Sequence, residues 1–154
     1  MLELLKQRRT IYNLGKKKLV SEEQLSELVK QIIKQLPSAF NSQSTRIVIL
    51  FAEQHNMFWE KTKDCLRKIV PASAFEQTEN KIDNCFKAGY ATLLFYEDQE
   101  IVEGLCKKFP TYSDKFPVWA EHANAMAQLA LWTKLAELKL GASLQHYNPI
   151  VDEM

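Results

Sequence analysis

Apolar positions recur at helical spacing along most of this 154-residue chain. A first helix is predicted over residues 2–9. A second begins after Ser21, a favourable N-cap residue that precedes two glutamates in the first helical turn. Pro37 ends that second helix. Further helices are predicted over residues 55–70, 75–88, 98–108 and 118–140.

Short apolar runs between these helices have the pattern of buried strands. Residues 46–52 and 90–96 are apolar, rich in β-branched or aromatic residues, and bounded by polar positions. Residues 142–147 resemble a third short strand, and Asn148-Pro149 is a turn signal that can open a further helix. Helices thus alternate with about three strands, which would make a small sheet, and residues 1–154 are expected to form a single domain.

The predicted helix over residues 118–140 is apolar around much of its circumference. A helix of this kind is usually buried on several sides. A subunit of this size can hardly cover it, so the pattern predicts a dimer interface. The apolar positions are Trp119, Ala123, Met126, Ala127, Ala130, Leu131, Leu135 and Leu138.

Composition narrows the class of protein. The formal net charge of +1 gives no general attraction to nucleic acid or to an anionic membrane. Charged side chains interrupt the longest apolar stretch, so no membrane span is predicted, and no secretory leader is recognised. The three cysteines form no Cys-x-x-Cys pair, which argues against a zinc site or a disulfide framework. We therefore expect a cytoplasmic protein.

The first candidate for chemistry is the triplet Arg8, Arg9 and Thr10. Arginine presents a planar fork that matches phosphate oxygens, and the threonine hydroxyl adds a further donor. The triplet is therefore a candidate phosphate clamp. The alternative is that the two cations follow the negative end of a helix dipole and have no ligand.

Two polar segments offer further binding groups. Ser38, Asn41 and Gln43 lie in a loop between a helix and a strand, where donors and acceptors can reach a polar ring or simply form a turn. Small residues at 141–143 permit close backbone approach, and His146 just beyond them is either a donor to a ligand or a structural histidine.

The sequence contains no nucleophile-elbow, phosphate-loop or zinc-protease motif. The histidines at positions 55, 122 and 146 are too widely spaced to suggest a metal cluster. Glu53, Glu97 and Asp98 lie at predicted strand ends and could form a carboxylate pair, but the sequence favours solvated strand ends instead. Such a chain is compatible with a redox protein whose cofactor carries the chemistry.

Taken in order, these segments resemble the FMN-dependent nitroreductase family, and in particular its short-chain branch of fatty-acid-repression and copper-induced nitroreductases. The match runs across nearly the whole chain, and each motif is weak alone. The motifs are Arg-Arg-Thr-Ile-Tyr at 8–12, Pro-Ser-Ala-Phe-Asn-Ser-Gln at 37–43, the strand segment at 89–98, the aromatic segment at 109–119 and Leu-Gly-Ala-Ser-Leu-Gln-His-Tyr-Asn-Pro at 140–149.

The resemblance implies a mixed α+β fold, with a small sheet flanked by helices, and an intertwined homodimer with FMN at its interface. It assigns the FMN phosphate and ribityl chain to Arg8, Arg9 and Thr10. It assigns the loop with Ser38, Asn41 and Gln43 to the flavin of the other subunit. Lys81 matches a family lysine near the flavin, and the residues that lie beside the ring are Leu144, Gln145 and His146.

The implied activity is an FMN-dependent NAD(P)H oxidoreductase that passes two electrons, by a ping-pong mechanism, to a nitroaromatic, quinone or similar small acceptor. Two alternatives stay open: a non-catalytic flavin-binding or regulatory protein of the same fold, and a helical interaction module without a cofactor. Two departures stand out. Tyr12 occupies a position that is lysine in many larger relatives, and the domain is expected to lack a C-terminal segment that the family usually has.

Overall fold

The computed structural model describes residues 2–147, so the turn expected at Asn148-Pro149 lies outside the described part of the chain. Helices dominate this part. In chain order the elements are α1 (Leu2–Gln7), α2 (Glu22–Ile33), a 3₁₀ turn (Ala39–Asn41), β1 (Thr45–Phe51), α3 (Ala52–Ile69), α4 (Ala72–Lys81), a π-helical turn (Ile82–Phe86), β2 (Ala91–Glu97), α5 (Gln99–Lys108), a 3₁₀ turn (Pro110–Tyr112) and α6 (Phe116–Glu137).

The predicted start of α2 is confirmed in atomic detail. The Ser21 hydroxyl accepts a hydrogen bond from the Gln24 backbone N–H at 3.1 Å, and the Ser21 N–H donates to Gln24 Oε1 at 2.8 Å. This reciprocal capping box satisfies two backbone donors at the helix start. The other predicted helices are also present, with ends that differ from the prediction by at most three residues, apart from the one over residues 75–88.

That predicted helix is interrupted, and the expectation of one continuous helix is wrong. α4 ends at Lys81, and the chain then widens into the π-helical turn Ile82–Phe86. The Lys87 N–H donates to the Ile82 carbonyl at 2.9 Å, a bond that spans five residues instead of four. Hydrophobic spacing does not reveal an extra residue in one turn, because the apolar residues on both sides still face the core.

The sheet has two strands in the described residues, paired as β1-β2. At one end the Asp98 N–H donates to the Ser44 carbonyl at 2.9 Å, and at the other the rings of Phe51 and Tyr90 are 5.7 Å apart. The strands are therefore antiparallel. The predicted third strand over residues 142–147 is wrong: this segment makes a single parallel bridge, between Ala142 and Thr10.

The chain folds into two compact units, each built from segments that are distant in sequence. The first consists of the described residues of Met1–Leu19, Leu50–Thr92 and Leu135–Met154, and the second of Val20–Ile49 and Leu93–Lys134. The first unit has a buried cluster of Trp59, Leu66, Ile82 and Phe86. The second unit has a buried cluster of Val102, Phe116 and Ala120.

α6 is apolar on its buried side and also on part of its exposed side. Ala120, Ala123, Ala127 and Leu131 are buried. On the exposed side, Val118, Met126 and Leu129 remain 41–50% accessible. Over residues 2–147, no helix has both the length and the apolar character needed to cross a bilayer.

A buried histidine links three segments of the first unit. His55 of α3 is 1% exposed, and its Nε2 lies 3.1 Å from the Lys87 carbonyl oxygen. Because a carbonyl only accepts, Nε2 must carry the proton, and Nδ1 then accepts from the Thr92 hydroxyl at 2.8 Å. The same hydroxyl accepts from Trp59 Nε1 at 2.9 Å. Every polar atom in this network is satisfied when the imidazole is neutral.

This network makes stability depend on pH. Burial lowers the pKa of His55 below its usual 6.5, as do the charges of Lys16 and Lys87, although the bond to the Lys87 carbonyl opposes them. The unfolded chain therefore takes up a proton before the folded protein does. The stabilisation is complete above about pH 6.5 and is lost as the pH falls from there through the folded-state pKa.

We expect the melting temperature of the wild-type protein to fall below about pH 6.5 and that of His55→Asn to change less over the same range. Thermal melts between about pH 5 and pH 8 measure this. His122→Asn is the matched control, because His122 is exposed and its replacement should leave the wild-type slope unchanged. If the melting temperatures of the wild type and of His55→Asn depended equally on pH, His55 would not be the source of the pH dependence.

Candidate functional site

The first unit brings two of the sequence-predicted segments together. Thr10 forms a parallel bridge with Ala142, and the Ile11 N–H donates to the Ala142 carbonyl at 3.0 Å. A Cβ on Gly141 would lie 3.1 Å from Ile11 Cγ2, so glycine permits this close approach. The arginine motif therefore lies beside the segment that follows α6.

The two arginines of the motif differ in their surroundings. Arg9 is exposed, and its Nη1 donates to the Arg8 carbonyl at 2.7 Å and to the Leu5 carbonyl at 3.5 Å. These bonds cap the end of α1, as the helix-dipole alternative predicts for this residue. Arg8 is half-buried, and Thr10 is exposed beside the bridge. The motif thus combines a helix-capping cation with a second guanidinium and a hydroxyl.

Gln145 carries an unsatisfied donor. Its Nε2 is buried and finds no hydrogen-bond partner among the described residues. An unpaired buried amide is costly, and in native proteins it usually marks a missing ligand, ion or water. Its neighbours Leu144 and His146 are both exposed. The segment therefore combines a buried donor that lacks a partner with two exposed side chains.

Lys81, at the end of α4, lies close to Tyr12. Lys81 Nζ is 5.8 Å from the centroid of the Tyr12 ring and 5.9 Å from that of Phe86. The two rings are themselves 6.2 Å apart. A cation at the end of α4 is therefore held next to Tyr12.

Sequence reasoning missed an aromatic cluster beneath this part of the first unit. Tyr147 packs edge-on against Trp59 and Phe86, with centroid distances of 5.8 and 6.0 Å. Burial raises the pKa of Tyr147, and Tyr12 adds to this rise. Trp59 and Phe86 are spaced like ordinary core residues, so no local signal distinguishes them. Their role is to fix the segment that carries Gln145.

The second unit holds the loop with Ser38, Asn41 and Gln43. The Gln43 N–H donates to Ser38 Oγ at 3.0 Å, and Gln43 Nε2 donates to Asn41 Oδ1 at 3.2 Å. Phe40, Asn41 and Gln43 have positive φ angles of 54°, 52° and 49°. Three such non-glycine residues in one loop store backbone strain of the kind that clusters at binding sites. The three predicted side chains are thus part of one preformed loop.

Phe40 anchors this loop in a second aromatic cluster. Its ring stacks on Trp119 at 6.0 Å with an interplanar angle of 16°. It also contacts rings in the aromatic segment 109–119, namely Phe109, Tyr112 and Phe116. Phe40 nevertheless remains 51% exposed. The loop therefore presents an aromatic surface next to its polar side chains.

The interpretation of Glu97 as a solvated strand end is wrong. Glu97 is buried, and it accepts hydrogen bonds from Ser44 Oγ at 2.5 Å, Thr45 Oγ1 at 2.6 Å and Asn124 Nδ2 at 3.2 Å. It therefore joins the end of β2 to the start of β1 and to α6. By contrast, Asp98 is partly exposed and pairs with Arg46 at 3.0 Å. Position at a strand end does not by itself show which carboxylate turns inward.

In the described part of the chain, no group of three His, Cys, Asp or Glu side chains is arranged to hold a metal ion. The candidate site consists instead of hydrogen-bond donors, cations and aromatic rings. This donor set suits an anionic, ring-containing organic group more than a metal.

Comparison with known proteins gives a consistent result. A family model described as the nitroreductase family matches residues 5–153. The nitroreductase FRM2 of Saccharomyces cerevisiae is 35% identical over 153 residues, which cover 97% of this chain and 75% of the relative.

Solved structures agree with the sequence comparison. The nitroreductase CinD of Lactococcus lactis, in complex with chloramphenicol, has a TM-score of 0.86 at 41% identity and covers 99% of this chain and 76% of its own. CinD was also solved with nicotinic acid and with 4-nitrophenol. A more distant protein from Desulfovibrio desulfuricans, solved with FMN, shares the fold at a TM-score of 0.67 and 18% identity, covering 98% of this chain and 71% of its own. The chain has the nitroreductase fold and belongs to the nitroreductase family.

Proposed function

We propose that this member of an oxidoreductase family uses FMN to pass two electrons from NADH or NADPH to a nitroaromatic, quinone or similar small acceptor in a ping-pong cycle. The observation that carries the proposal is the buried, unpartnered Nε2 of Gln145, in a segment that is bridged to the arginine motif at Thr10. The donor needs an acceptor, and the motif beside it suits a phosphate.

The residues of this chain fit FMN by their chemistry. FMN combines a phosphate group with a ring that has carbonyl and nitrogen acceptors. Arg8, Arg9 and Thr10 would bind the phosphate and ribityl chain. Gln145 would donate to the ring, flanked by Leu144 and His146, and Lys81 would add a positive charge. In the homodimer that we propose, the partner subunit would supply Ser38, Asn41 and Gln43.

Comparisons support the cofactor and the substrate class. The Desulfovibrio desulfuricans protein of the same fold was solved with FMN, which makes this group a reasonable ligand for the fold. CinD, which is much more similar, was solved with the nitroaromatic compounds chloramphenicol and 4-nitrophenol. Its complex with nicotinic acid has a pyridine ring like that of a nicotinamide. We therefore assign aromatic acceptors and a nicotinamide donor to the same site.

When bound, FMN supplies the hydride and electron-transfer chemistry. The protein supplies position and charge. The guanidiniums hold the anionic end, and the amide of Gln145 fixes the orientation of the polar ring edge. Lys81 stabilises negative charge that develops beside it. In the proposed homodimer, the loop from the partner subunit would bring its half-exposed Phe40 ring, on which an aromatic acceptor could stack.

The homodimer is supported by α6. Val118, Met126 and Leu129 are apolar and exposed although the helix is apolar on its buried side as well. Exposed apolar residues that share one helix side usually mark an interface. A second copy of this chain would cover them.

An absorption spectrum tests the cofactor directly. The purified protein, mixed with FMN and freed of excess, should show the visible bands of an oxidised flavin. It should then oxidise NADH or NADPH steadily when a nitroaromatic or quinone is present. A colourless protein that takes up no FMN would overturn the proposal. Flavin uptake without steady turnover would favour the non-catalytic alternative.

Replacing Gln145 by leucine should have opposite effects on binding and on stability. Loss of one neutral hydrogen bond should weaken FMN binding by about 2- to 10-fold. The FMN-free protein should melt at a higher temperature, because an unsatisfied buried amide costs roughly 1–3 kcal/mol. Fluorescence titration and thermal melting measure the two effects. Gln31→Leu is the matched control, since Gln31 is exposed and already bonded to Glu27. Lower stability with unchanged FMN affinity would contradict the role of Gln145.

A further inference from the structure

A lysine with almost no exposure lies at the centre of a charged cluster in the first unit. Lys63 of α3 is 6% exposed. Its Nζ lies 2.9 and 3.2 Å from the two oxygens of Asp83, 3.1 Å from Glu60 Oε2 and 3.6 Å from Glu79 Oε1. Burial alone would lower the pKa of Lys63, but its bonds to Asp83 and Glu60 outweigh that effect and raise it. The ammonium is therefore charged and held mainly by Asp83.

Asp83 lies inside the π-helical turn Ile82–Phe86. A π turn is rare, because it is less favourable than continued α-helix, and it persists where other contacts hold it. Here Ile82 and Phe86 are buried on the inner side, and the Lys63–Asp83 ion pair holds the outer side. The ion pair and the core thus fix the extra residue from both sides.

The extra residue decides what lies beside Lys81. One residue corresponds to a rotation of about 100° around a helix. Lys81 immediately precedes the turn, and Phe86 ends it. In the observed geometry, Lys81 Nζ lies within 6 Å of both the Phe86 ring and the Tyr12 ring. Without the π turn, Phe86 would rotate away from this group.

We propose that Lys63 is a positioning residue for the cofactor site. Its ion pair with Asp83 holds the π-helical turn so that Lys81 stays beside Tyr12 and supplies the positive charge that the side chain at position 12 does not carry. The inference rests on the proposed function, since Lys81 acts on bound FMN. It concerns a residue that contacts neither the cofactor nor a substrate.

The test uses the whole protein with FMN and four variants: Lys63→Met, Lys81→Met, the double variant and Arg67→Met. Arg67 is the matched control, because it lies on α3 in the same charged cluster but is exposed and pairs with Asp64 and Glu79. The first readout is the midpoint potential of the bound flavin, which reports how much more tightly the reduced form binds. The second is amide hydrogen exchange at Lys87 in the FMN-free protein, since that N–H closes the π turn.

Lys81→Met should reduce the preference for reduced flavin by about tenfold, which is ~30 mV for a two-electron couple. Lys63→Met should lower the potential by a similar amount, and the double variant should lower it no further, because both changes remove the same charge effect. Exchange at Lys87 should become about tenfold faster in Lys63→Met and not in Lys81→Met. Arg67→Met should match the wild type in both readouts.

Additive effects in the double variant, or a wild-type potential in either Lys63→Met or Lys81→Met, would overturn the inference and leave the proposed function standing. A wild-type protein that takes up no FMN would overturn both. If Lys63→Met does not fold, Lys63→Arg and Asp83→Asn replace it. Lys63→Arg should keep the wild-type potential, and Asp83→Asn should lower it; the opposite pattern overturns the inference.

Discussion

Arg8→Met should weaken FMN binding by about 10- to 100-fold, which makes it the largest functional effect that we expect. A hydrogen bond to a charged group contributes roughly 1.5–3 kcal/mol, and arginine can make two such bonds to one phosphate. Arg8 is half-buried, so solvent screens its charge less than that of Arg9, which is exposed and caps α1. Fluorescence titration with FMN measures the loss.

Lys6→Met is the matched control for Arg8→Met. It removes the same charge from α1, two positions before Arg8, but Lys6 is exposed and pairs with Glu3. Its FMN affinity should equal that of the wild type. Riboflavin, which lacks the phosphate, gives a second check. Arg8→Met should lose much less affinity for riboflavin than for FMN. An equal loss for both ligands would show that Arg8 contacts another part of the flavin or acts only through the fold.

Glu97→Ala should lower the free energy of unfolding by roughly 3 kcal/mol, the largest stability effect that we expect. The change leaves the hydroxyls of Ser44 and Thr45 and the amide of Asn124 without their shared acceptor. Each buried donor without a partner costs about 1–3 kcal/mol, and the hydroxyls recover part of that by rotating. The melting temperature should fall by roughly 6–12 °C.

Two further variants make the Glu97 prediction specific. Glu97→Gln keeps the side-chain volume and one acceptor oxygen, so its loss should be about 1 kcal/mol. Glu100→Ala removes an exposed glutamate shortly after the end of β2 and should change stability by less than about 0.5 kcal/mol. Chemical denaturation of the three variants measures their free energies of unfolding, which should fall in this order. A Glu97→Ala protein as stable as Glu100→Ala would mean that the buried network contributes nothing.

Local signals predicted the helices and the first two strands well, because each has an uninterrupted pattern and a recognisable start. Ser21 is the best example, since both partners of its capping box lie within the four consecutive residues 21–24. Sequence patterns did not predict the features that depend on contacts between distant segments. The predicted strand after α6 has suitable residues but no long partner to pair with, so a single bridge at Ala142 is all that forms. The π turn at Ile82 carries an ion pair between Asp83 and Lys63 of α3, a contact that the local spacing of residues does not reveal.

For the candidate site, the order of the motifs is the signal that the sequence offers. It nominates Arg8, Gln145 and the loop around Asn41, and the binding role of these residues stays a prediction. No pattern of neighbours could show that Glu97 turns inward, because its donors lie in two distant segments, at Ser44-Thr45 and at Asn124. The placement of Lys81 beside Tyr12 likewise follows from packing and not from spacing.

The bridge between Thr10 and Ala142 has a consequence for biosynthesis. A ribosome makes the arginine motif well before it makes residue 142, the bridge partner of Thr10. Until residue 142 emerges, residues 8–10 therefore lack the neighbour that orders them. If the proposed function holds, flavin capture follows the synthesis of residue 142, and a nascent chain stalled before that residue should not retain FMN.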